Sequence, residues 1–571
     1  MREIKKVNLG YCLVFALTGA TGALAQQQSP ETSAASEASE GARIGARLEE
    51  VIVTARRREE SLQEVPVSVT AFSADELTAA GIHSILDLEK SVPSLSISGD
   101  GAKTPKFFIR GIGQRSGTTI FDPGVSVYLN EILIPRPEAQ LLETVDVASV
   151  QVLRGPQGTL FGKNTVGGAI LFESRKPDLQ EYGATVGGRV GNFGRLDYRV
   201  AGDIPLIEDT MGLRLSASRT EQDGFLRNVV DGKEFGDEDR WGVSGRFLWH
   251  VNEELTADVF AFFSRIDERN IGGTCVFQNP DASLTNLVFA SQPDFTESCR
   301  ESEELIDDKK IAVNSANSQM RLDSSMIALT LDWAISENLN FKSITSYGVW
   351  DNVSVNTESD HTRADIVSSG TLAVKGAISG NGLSAPEEDR WQVTQEFQFN
   401  GTALNDSLQY TAGLFGTIEE INNHAGGQLV GPKGIGGASL GPVVLPFIVW
   451  TGVLNDIENQ SVALFGEFSY DFNEWLSLTA GGRYTIEDRE RTLTVSEVDT
   501  EEMAERLGTT VQEGNLFAPI SKSDFDAIID DPRPLALKNP QIISDSDTFE
   551  EFTPSVTLQV LAPASWLDDM R

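Results

Sequence analysis

The sequence predicts a transmembrane β-barrel with an N-terminal α/β domain lodged in its lumen, and three observations carry that reading. Met1 to Ala25 has a basic start (Arg2, Lys5, Lys6), an apolar run from Leu9 to Ala20, and Ala23-Leu24-Ala25 ahead of Gln26. This is a secretory signal with its cleavage point between Ala25 and Gln26. Beyond Pro177 the chain breaks into alternating apolar and polar segments of about ten residues, the length a tilted strand needs to cross a bilayer. The connections between them sort into tight turns and long polar stretches, as short turns at one rim of an outer-membrane barrel and long loops at the other would require. A soluble β-sandwich has no reason to sort its loops by length.

Length and charge bound the function. At 571 residues the chain exceeds one ordinary soluble domain, but a large barrel absorbs such length with something inside it. The 84 acidic residues against 46 basic ones, net -38, repel phosphates and offer no polybasic anchor, so nucleic acid is excluded as a partner. Cys12 leaves with the signal. Cys275 and Cys299 remain, and in an oxidising compartment they can form a disulfide worth roughly 3 kcal/mol, two free thiols being the alternative. The longest apolar run, Leu440 to Leu454, is too short for a membrane helix and is broken by Pro442 and Pro446. Any membrane crossing must be made by strands.

In chain order, residues 26–48 are small and polar, with nothing to bury, and form a flexible periplasmic spacer. Residues 49–58 follow, within the stretch LEEVIVTARRR, where a short β-prone run stands next to disorder; on pattern alone it is either an ordinary first strand or an exposed one that can add to another protein's sheet edge. Residues 59–178 read as a compact α/β unit. Val65 to Thr70 alternates as a strand, Ser73-Ala74-Asp75-Glu76 is a capping box opening a helix that Gly81 ends, and Ser84 to Asp87 repeats the cap before Pro93 stops the next helix. Phe107 to Gly113 gives a strand and a glycine turn, and Val125 to Ile134 a hairpin. Val150 to Pro177 then supplies two strands joined by a bend whose glycines at 155, 158, 162, 167 and 168 allow tight turning and close packing.

Residues 179–571 are the barrel region. In Ser461 to Phe472, Val462, Leu464, Phe468, Tyr470 and Phe472 share one face and Ser461, Glu467, Ser469 and Asp471 the other. Trp475 to Glu487 and Trp391 to Asn400 alternate likewise. Tight turns are expected at 252–254, 337–338, 405–406 and 473–474, and long loops near 268–322, 352–387, 421–458 and 493–547.

Candidate chemistry does not survive its structural requirements. Gly162-Lys163 lies in a glycine-rich turn, but a phosphate-binding loop needs Gly where Gln157 stands and Ser or Thr where Asn164 stands. Gly437-Ala438-Ser439-Leu440-Gly441 fits a nucleophile pattern without the strand and helix that expose the serine, since Pro442 follows. His83, His250, His361 and His424 show no paired metal spacing. Neither an enzyme nor a cofactor is expected.

The run V-L-R-G-P-Q-G-T-L-F-G from Val152 and G-G-A-I from Gly167 resembles the core motif of the plug domain of TonB-dependent outer-membrane receptors, and the pieces from Glu49 to Pro177 follow that domain's order. The plug-motif positions are Arg110, Gly111, Arg154, Gly155, Pro156, Gly158, Gly162, Gly167 and Gly168. Two positions depart: Asn130-Glu131 stands where an Asp-Gly turn is usual, and Gln151 where Glu is frequent. Glu50, Val51, Ile52, Val53, Thr54 and Ala55 resemble the TonB box. The resemblance implies a protein of the cell outer membrane whose box is gripped by the TonB-ExbB-ExbD energy-coupling complex to drive uptake of a scarce small molecule. A ferric siderophore is the family's commonest cargo; cobalamin, saccharides and aromatic compounds are rivals. Substrate contacts are expected from the loop tips and from Arg115 to Asp122, while Leu445 to Trp450 either contacts substrate or packs inside the barrel. A signal-transducing receptor of the family carries an extra folded domain before the box, where the spacer has only disorder-prone composition, and a passive porin has no use for a plug.

Two structural expectations follow. Arg110 and Arg154 precede glycine turns in the plug, while Glu396 and Glu467 lie on non-lipid strand faces, so charge pairs between them are expected across the interface. Barrels of this family resemble the 22-stranded plugged type, whereas about twelve candidate strands are legible from Tyr182 to Val560. Twelve strands would close to roughly 24 Å, too narrow for a plug of roughly 36 Å, so a partial barrel is expected.

Overall fold

The computed structural model describes residues 52–54, 56–58, 60–61, 65–82, 84–98, 105–114, 122–136, 146–229, 232–269, 305, 308–311, 319–354, 387–430, 448–498 and 537–561. The signal and spacer, Glu50, Val51, Ala55, residues 115–121, Cys275, Cys299, residues 437–441 and residues 445–447 lie outside the described residues. Residues from Glu50 onward belong to one compact unit.

The plug begins with β1 (Ile52–Val53) and β2 (Glu60–Ser61), paired antiparallel. Strand β3 (Val69–Ser73) runs into helix α1 (Ala74–Ala79), where the Ser73 backbone N–H donates to Glu76 Oε2 at 2.7 Å and Gly81 closes the helix at φ +68°. The second cap also forms, with Ser84 N–H donating to Asp87 Oδ2 at 3.0 Å, but it opens a 3₁₀ turn (Ile85–Lys90) in place of an α-helix. Pro93 lies too close behind for an α-helix to develop. Strands β4 (Leu95–Ser98), β5 (Lys106–Ile109) and β6 (Ile112–Gly113) form one small sheet. Strands β7 (Val125–Leu129), β8 (Ile132–Ile134), β9 (Val147–Arg154) and β10 (Gly168–Ser174), the last two flanking the short helix α2 (Gly158–Phe161), join β3 in a five-stranded sheet ordered β3-β9-β10-β7-β8. Its centre is covered on both faces: Val125, Val127, Val152, Leu153, Ala169 and Ile170 expose nothing.

A twelve-stranded sheet follows, in which every neighbour is also the neighbour in sequence among the long strands. Its members are β11 (Gly183–Val190), β12 (Leu196–Ile207), β13 (Met211–Gln222), β16 (Glu238–His250), β17 (Leu255–Arg269), β19 (Gln319–Ser336), β20 (Leu339–Ser354), β21 (Glu387–Ala403), β22 (Leu408–Val430), β23 (Ile448–Asn473), β24 (Leu476–Val498) and β25 (Leu537–Val560). Short strands β14 (Leu226–Asn228), β15 (Glu234–Phe235) and β18 (Lys310–Ile311) make a separate three-stranded sheet around Leu226, Phe235 and Ile311. Twelve strands agree with the number legible in the sequence, and among the described residues no pairing joins β11 to β25.

The expected faces are the observed ones. On β23, Val462, Leu464, Phe468, Tyr470 and Phe472 point outward and are exposed, while Ser461, Ala463, Phe465 and Ser469 are buried inward. Lipid is the solvent for the outer face, so exposed apolar side chains are favourable there. The tight turns also sit where the sequence puts them, but the long loops begin later than expected. Strands β22 to β25 run for 23, 26, 23 and 24 residues, about twice what the bilayer requires. Above the membrane both faces meet water, so hydrophobic alternation fades while the backbone ladder continues.

The lumen is not uniformly polar. Phe260, Phe262 and Ile266 of β17, Met320, Leu322, Met326 and Ala328 of β19, and Ile344 and Trp350 of β20 belong to one buried cluster with Ile85, Leu88, Val92, Leu95, Phe107 and Ile109 of the plug. The plug is therefore seated on strands β17, β19 and β20 by hydrophobic burial. Against β21 to β25 it is held differently.

Candidate functional site

Residues 52–58 enter the lumen at the polar side of this seat. Val53 is fully buried against Tyr128, Leu133, Leu153 and Phe161, and β1 has β2 as its partner. Ile52–Val53, the described part of the stretch expected to act as the box, is thus docked, not exposed as its neighbours in sequence suggest. The reversal is made at Arg57, whose N–H donates to the Thr54 carbonyl at 3.1 Å while its own backbone adopts φ +61°. Gln151 holds the turn from the plug side: its Oε1 accepts the Thr54 N–H at 3.0 Å and its Nε2 donates to Thr54 Oγ1 at 3.3 Å.

The arginines that follow the box reach the barrel wall. Arg56 Nε donates to Glu467 Oε1 at 2.7 Å, and its Nη1 lies 3.3 Å from Glu60. Arg57 sends Nη2 to Glu396 at 3.4 Å and Nη1 to the Glu131 carbonyl at 3.0 Å, with its guanidinium 4.6 Å from the Phe161 ring centre and 5.2 Å from that of Tyr128. Glu396 and Glu467 are therefore the interface carboxylates the sequence points to, but their partners are Arg57 and Arg56, not Arg110 and Arg154. Arg110 is exposed at φ +52°, with Nη2 3.5 Å from Ser68 Oγ, and among the described residues neither Arg110 nor Arg154 is ion-paired to the barrel. Both serve the plug's own backbone: the Arg110 N–H donates to the Ser94 carbonyl at 2.8 Å and the Arg154 N–H to the Ser68 carbonyl at 2.9 Å.

Glu131 ties plug and wall together. Lys342 Nζ of β20 donates to its carboxylate at 2.7 Å, Gln398 Nε2 of β21 at 3.2 Å, and Arg57 Nη1 lies 3.6 Å away. Burial alone would raise this carboxyl, but Lys342 and Arg57 outweigh it and hold it at about 2. Burial likewise pushes the Tyr128 phenol up to about 12, against the opposing pull of Arg57 and Arg483; its hydroxyl donates to the Phe161 carbonyl at 2.5 Å.

A second cluster lies further along β22 to β24. Arg136 grips Glu419 with both arms, Nε at 3.1 Å and Nη2 at 2.8 Å, and turns Nη1 to Asp122 at 2.8 Å. Asp122 also receives Arg489, and Lys163 pairs with Glu487 at 2.6 Å. Burial opposes ionisation of Asp122, yet Lys163, Arg136 and Arg489 keep its carboxyl below the usual range. Elsewhere Arg214 bonds Asp146 at 2.7 Å and Arg246 bonds Glu173 at 3.1 Å, fixing the start and end of the β9-β10 pair to the wall.

The plug motif supplies the close approach its glycines predict. A Cβ on Gly162, which sits at φ +81°, would stand 2.8 Å from Cζ of Arg483, a side chain that lies over Phe415 and Phe465. A Cβ on Gly168 would meet the Leu153 carbonyl at 2.1 Å. Gly155 and Gly111 supply positive φ at turns, +98° and +78°.

Sequence reasoning missed Arg56, Arg57, Arg136 and Lys342. Three consecutive arginines at 56–58 read locally as a solvated run, and the barrel partners of the first two, Glu467 and Glu396, lie hundreds of residues away. The available signal was Glu131, an unusual residue for a tight hairpin. Among the described residues there is no cluster that could hold a metal ion.

Comparison with known proteins identifies both parts of the chain. A model of the TonB-dependent receptor plug domain matches residues 61–169, and one of the TonB-dependent receptor-like β-barrel matches residues 285–563. The pesticin receptor of Yersinia pestis is 32% identical over 187 residues, 32% of this chain and 27% of that protein. The iron-regulated outer membrane virulence protein of Vibrio cholerae is 22% identical over 396 residues, 63% of this chain and 55% of that protein. The chain thus spans about half or less of the length of these relatives. In fold, the crystal structure of the ferric yersiniabactin uptake receptor FyuA from Yersinia pestis matches with a TM-score of 0.61 at 13% identity, covering 87% of this chain and 62% of that one. The matched family is one of non-enzymatic receptors of the outer membrane. The chain, with its plug, its strand sheet and the ionic interface between them, belongs to the TonB-dependent outer-membrane receptors.

Proposed function

We propose that the protein is an energy-coupled receptor for uptake of a scarce iron chelate, with Glu50 to Ala55 as the segment that the TonB-ExbB-ExbD complex grips. The observation that carries this is the position of the box: its strand is docked on the plug, and the two residues after it are ion-paired to Glu396 and Glu467 of the barrel. A pull on that strand acts at once on the plug core through Val53 and on the wall through Arg56 and Arg57. β1 is only two residues long and its pairing with β2 is correspondingly weak, so a longer β-partner can displace it. The iron cargo is supported by the names of the similar proteins, one iron-regulated and one a ferric yersiniabactin receptor. Substrate would meet the loop tips and Arg115 to Asp122, and a disulfide between Cys275 and Cys299 would close the stretch of chain between them.

The test is growth and radiolabelled uptake of a deletion strain on a panel of iron chelates, cobalamin and oligosaccharides, with and without iron limitation. Loss of one iron chelate under iron limitation supports the reading. Loss of cobalamin or a saccharide instead, with every iron chelate still taken up, replaces the cargo.

A further inference from the structure

Glu131 occupies a position that its residue type disfavours. Asn130 and Glu131 form the two-residue connection between β7 and β8, with φ of +50° and +66°. Both residues of such a turn are left-handed, which suits Asn and Gly and not Glu. Asn130 has a local reason to be there, since its Nδ2 donates to Ser174 Oγ at 3.0 Å and its Oδ1 accepts the Ser174 N–H at 2.8 Å. Among the described residues the Glu131 carboxylate has no such partner within the plug sheet. Its carboxylate instead joins Lys342 and Gln398, on two adjacent barrel strands, to Arg57 behind the box. In the same segment Gln151 holds Thr54 through backbone and side chain. The two positions where this plug departs from the usual pattern therefore close on one stretch of four residues.

We propose that Glu131 is a clasp that keeps the box strand docked by sharing its carboxylate between the barrel wall and Arg57, with Gln151 as the second jaw. The clasp sets how often the box is free in the resting receptor, and it rests on the coupling reading above. Losing the carboxylate takes one of the two carboxylate partners from Arg57 and leaves it on Glu396 and on the residue-131 carbonyl, so β1 is held less tightly. Losing Lys342 weakens the clasp from the wall side, because Glu131 then keeps only Gln398 as its barrel partner.

The test reads docking directly. Val53→Cys, buried when β1 is docked, is introduced into the receptor as it stands in outer membranes, and its maleimide labelling rate is followed by mass spectrometry of the peptide bearing residue 53. Glu131→Gln, Glu131→Gly and Lys342→Met are compared in that background. Glu131→Gly relieves the left-handed strain, so it keeps the test open if Glu131→Gln fails to assemble. Each variant is expected to raise the labelling rate at least about tenfold, as loss of a buried pair shifts a local opening equilibrium. Rates within twofold of the parent in Glu131→Gly and Lys342→Met would overturn the clasp. Labelling needs neither an ion gradient nor a coupling partner, so it judges the clasp even where uptake proves independent of the box.

Discussion

Replacing Arg136 by Met keeps an unbranched stem and removes the charge that joins the plug to β22. Arg136 and Glu419 leave only 3% and 6% of their side-chain surface exposed, and the contact is two-armed. Orphaning one member of a buried pair costs about 3–5 kcal/mol. Here the lower end applies, because Glu419 retains Asn459 at 2.9 Å and Arg390 at 3.9 Å, and Asp122 retains Arg489. A loss of about 3 kcal/mol makes the plug roughly a hundredfold more often released. Trypsin cleavage of the plug in outer membranes, measured against urea, reads that release. Glu419→Gln should cost less, about 2 kcal/mol, and the double variant should show a coupling of at least about 1.5 kcal/mol. An Arg136→Met cost under about 0.5 kcal/mol, or additivity of the two changes, would refute the claim that this pair fastens plug to barrel.

Three further outcomes are expected. Ile52→Pro removes a backbone donor from the box strand, so uptake should be abolished while surface binding of substrate stays near normal; unchanged uptake would remove the box from the mechanism. Gly162→Ala should cost about 2 kcal/mol or more in the urea assay, because the site is left-handed and Arg483 crowds the new methyl, whereas Gly81→Ala, left-handed in open space, should cost about 1 kcal/mol; equal losses would discount the contact with Arg483. Glu131 is held at about 2 against an ordinary 4.5, so its contribution is present above 4.5 and is lost as pH falls from 4.5 towards 2. One fifth of its side chain is still exposed, which makes about 3 kcal/mol an upper figure, and Glu131→Gln should flatten plug release across that window.

How much of this was legible follows the range of each interaction. The alternation in Ser461 to Phe472 and the turn at Asn473-Glu474 are local, and both stand as read. The capping boxes at Ser73 and Ser84 are local too, though the second yields a 3₁₀ turn because Pro93 limits its length. Glu396 and Glu467 were recognisable as inward carboxylates from the same period. Their partners were not, since Arg57 and Arg56 lie 339 and 411 residues away in sequence, and no local pattern encodes such a distance. The apolar patch on the inner wall, Phe260, Phe262 and Met326 among it, was equally hidden. A strand apolar on both faces reads the same whether it faces lipid and plug or is buried in a soluble core.

The central claim is that energy from the ion gradient moves substrate through this receptor by way of the box. The most direct measurement is accumulation of the substrate identified by the panel, in cells with and without a protonophore, alongside surface binding at 4 °C. The account predicts that accumulation stops when the gradient collapses while surface binding persists. Accumulation that continues at the same rate without the gradient would contradict it.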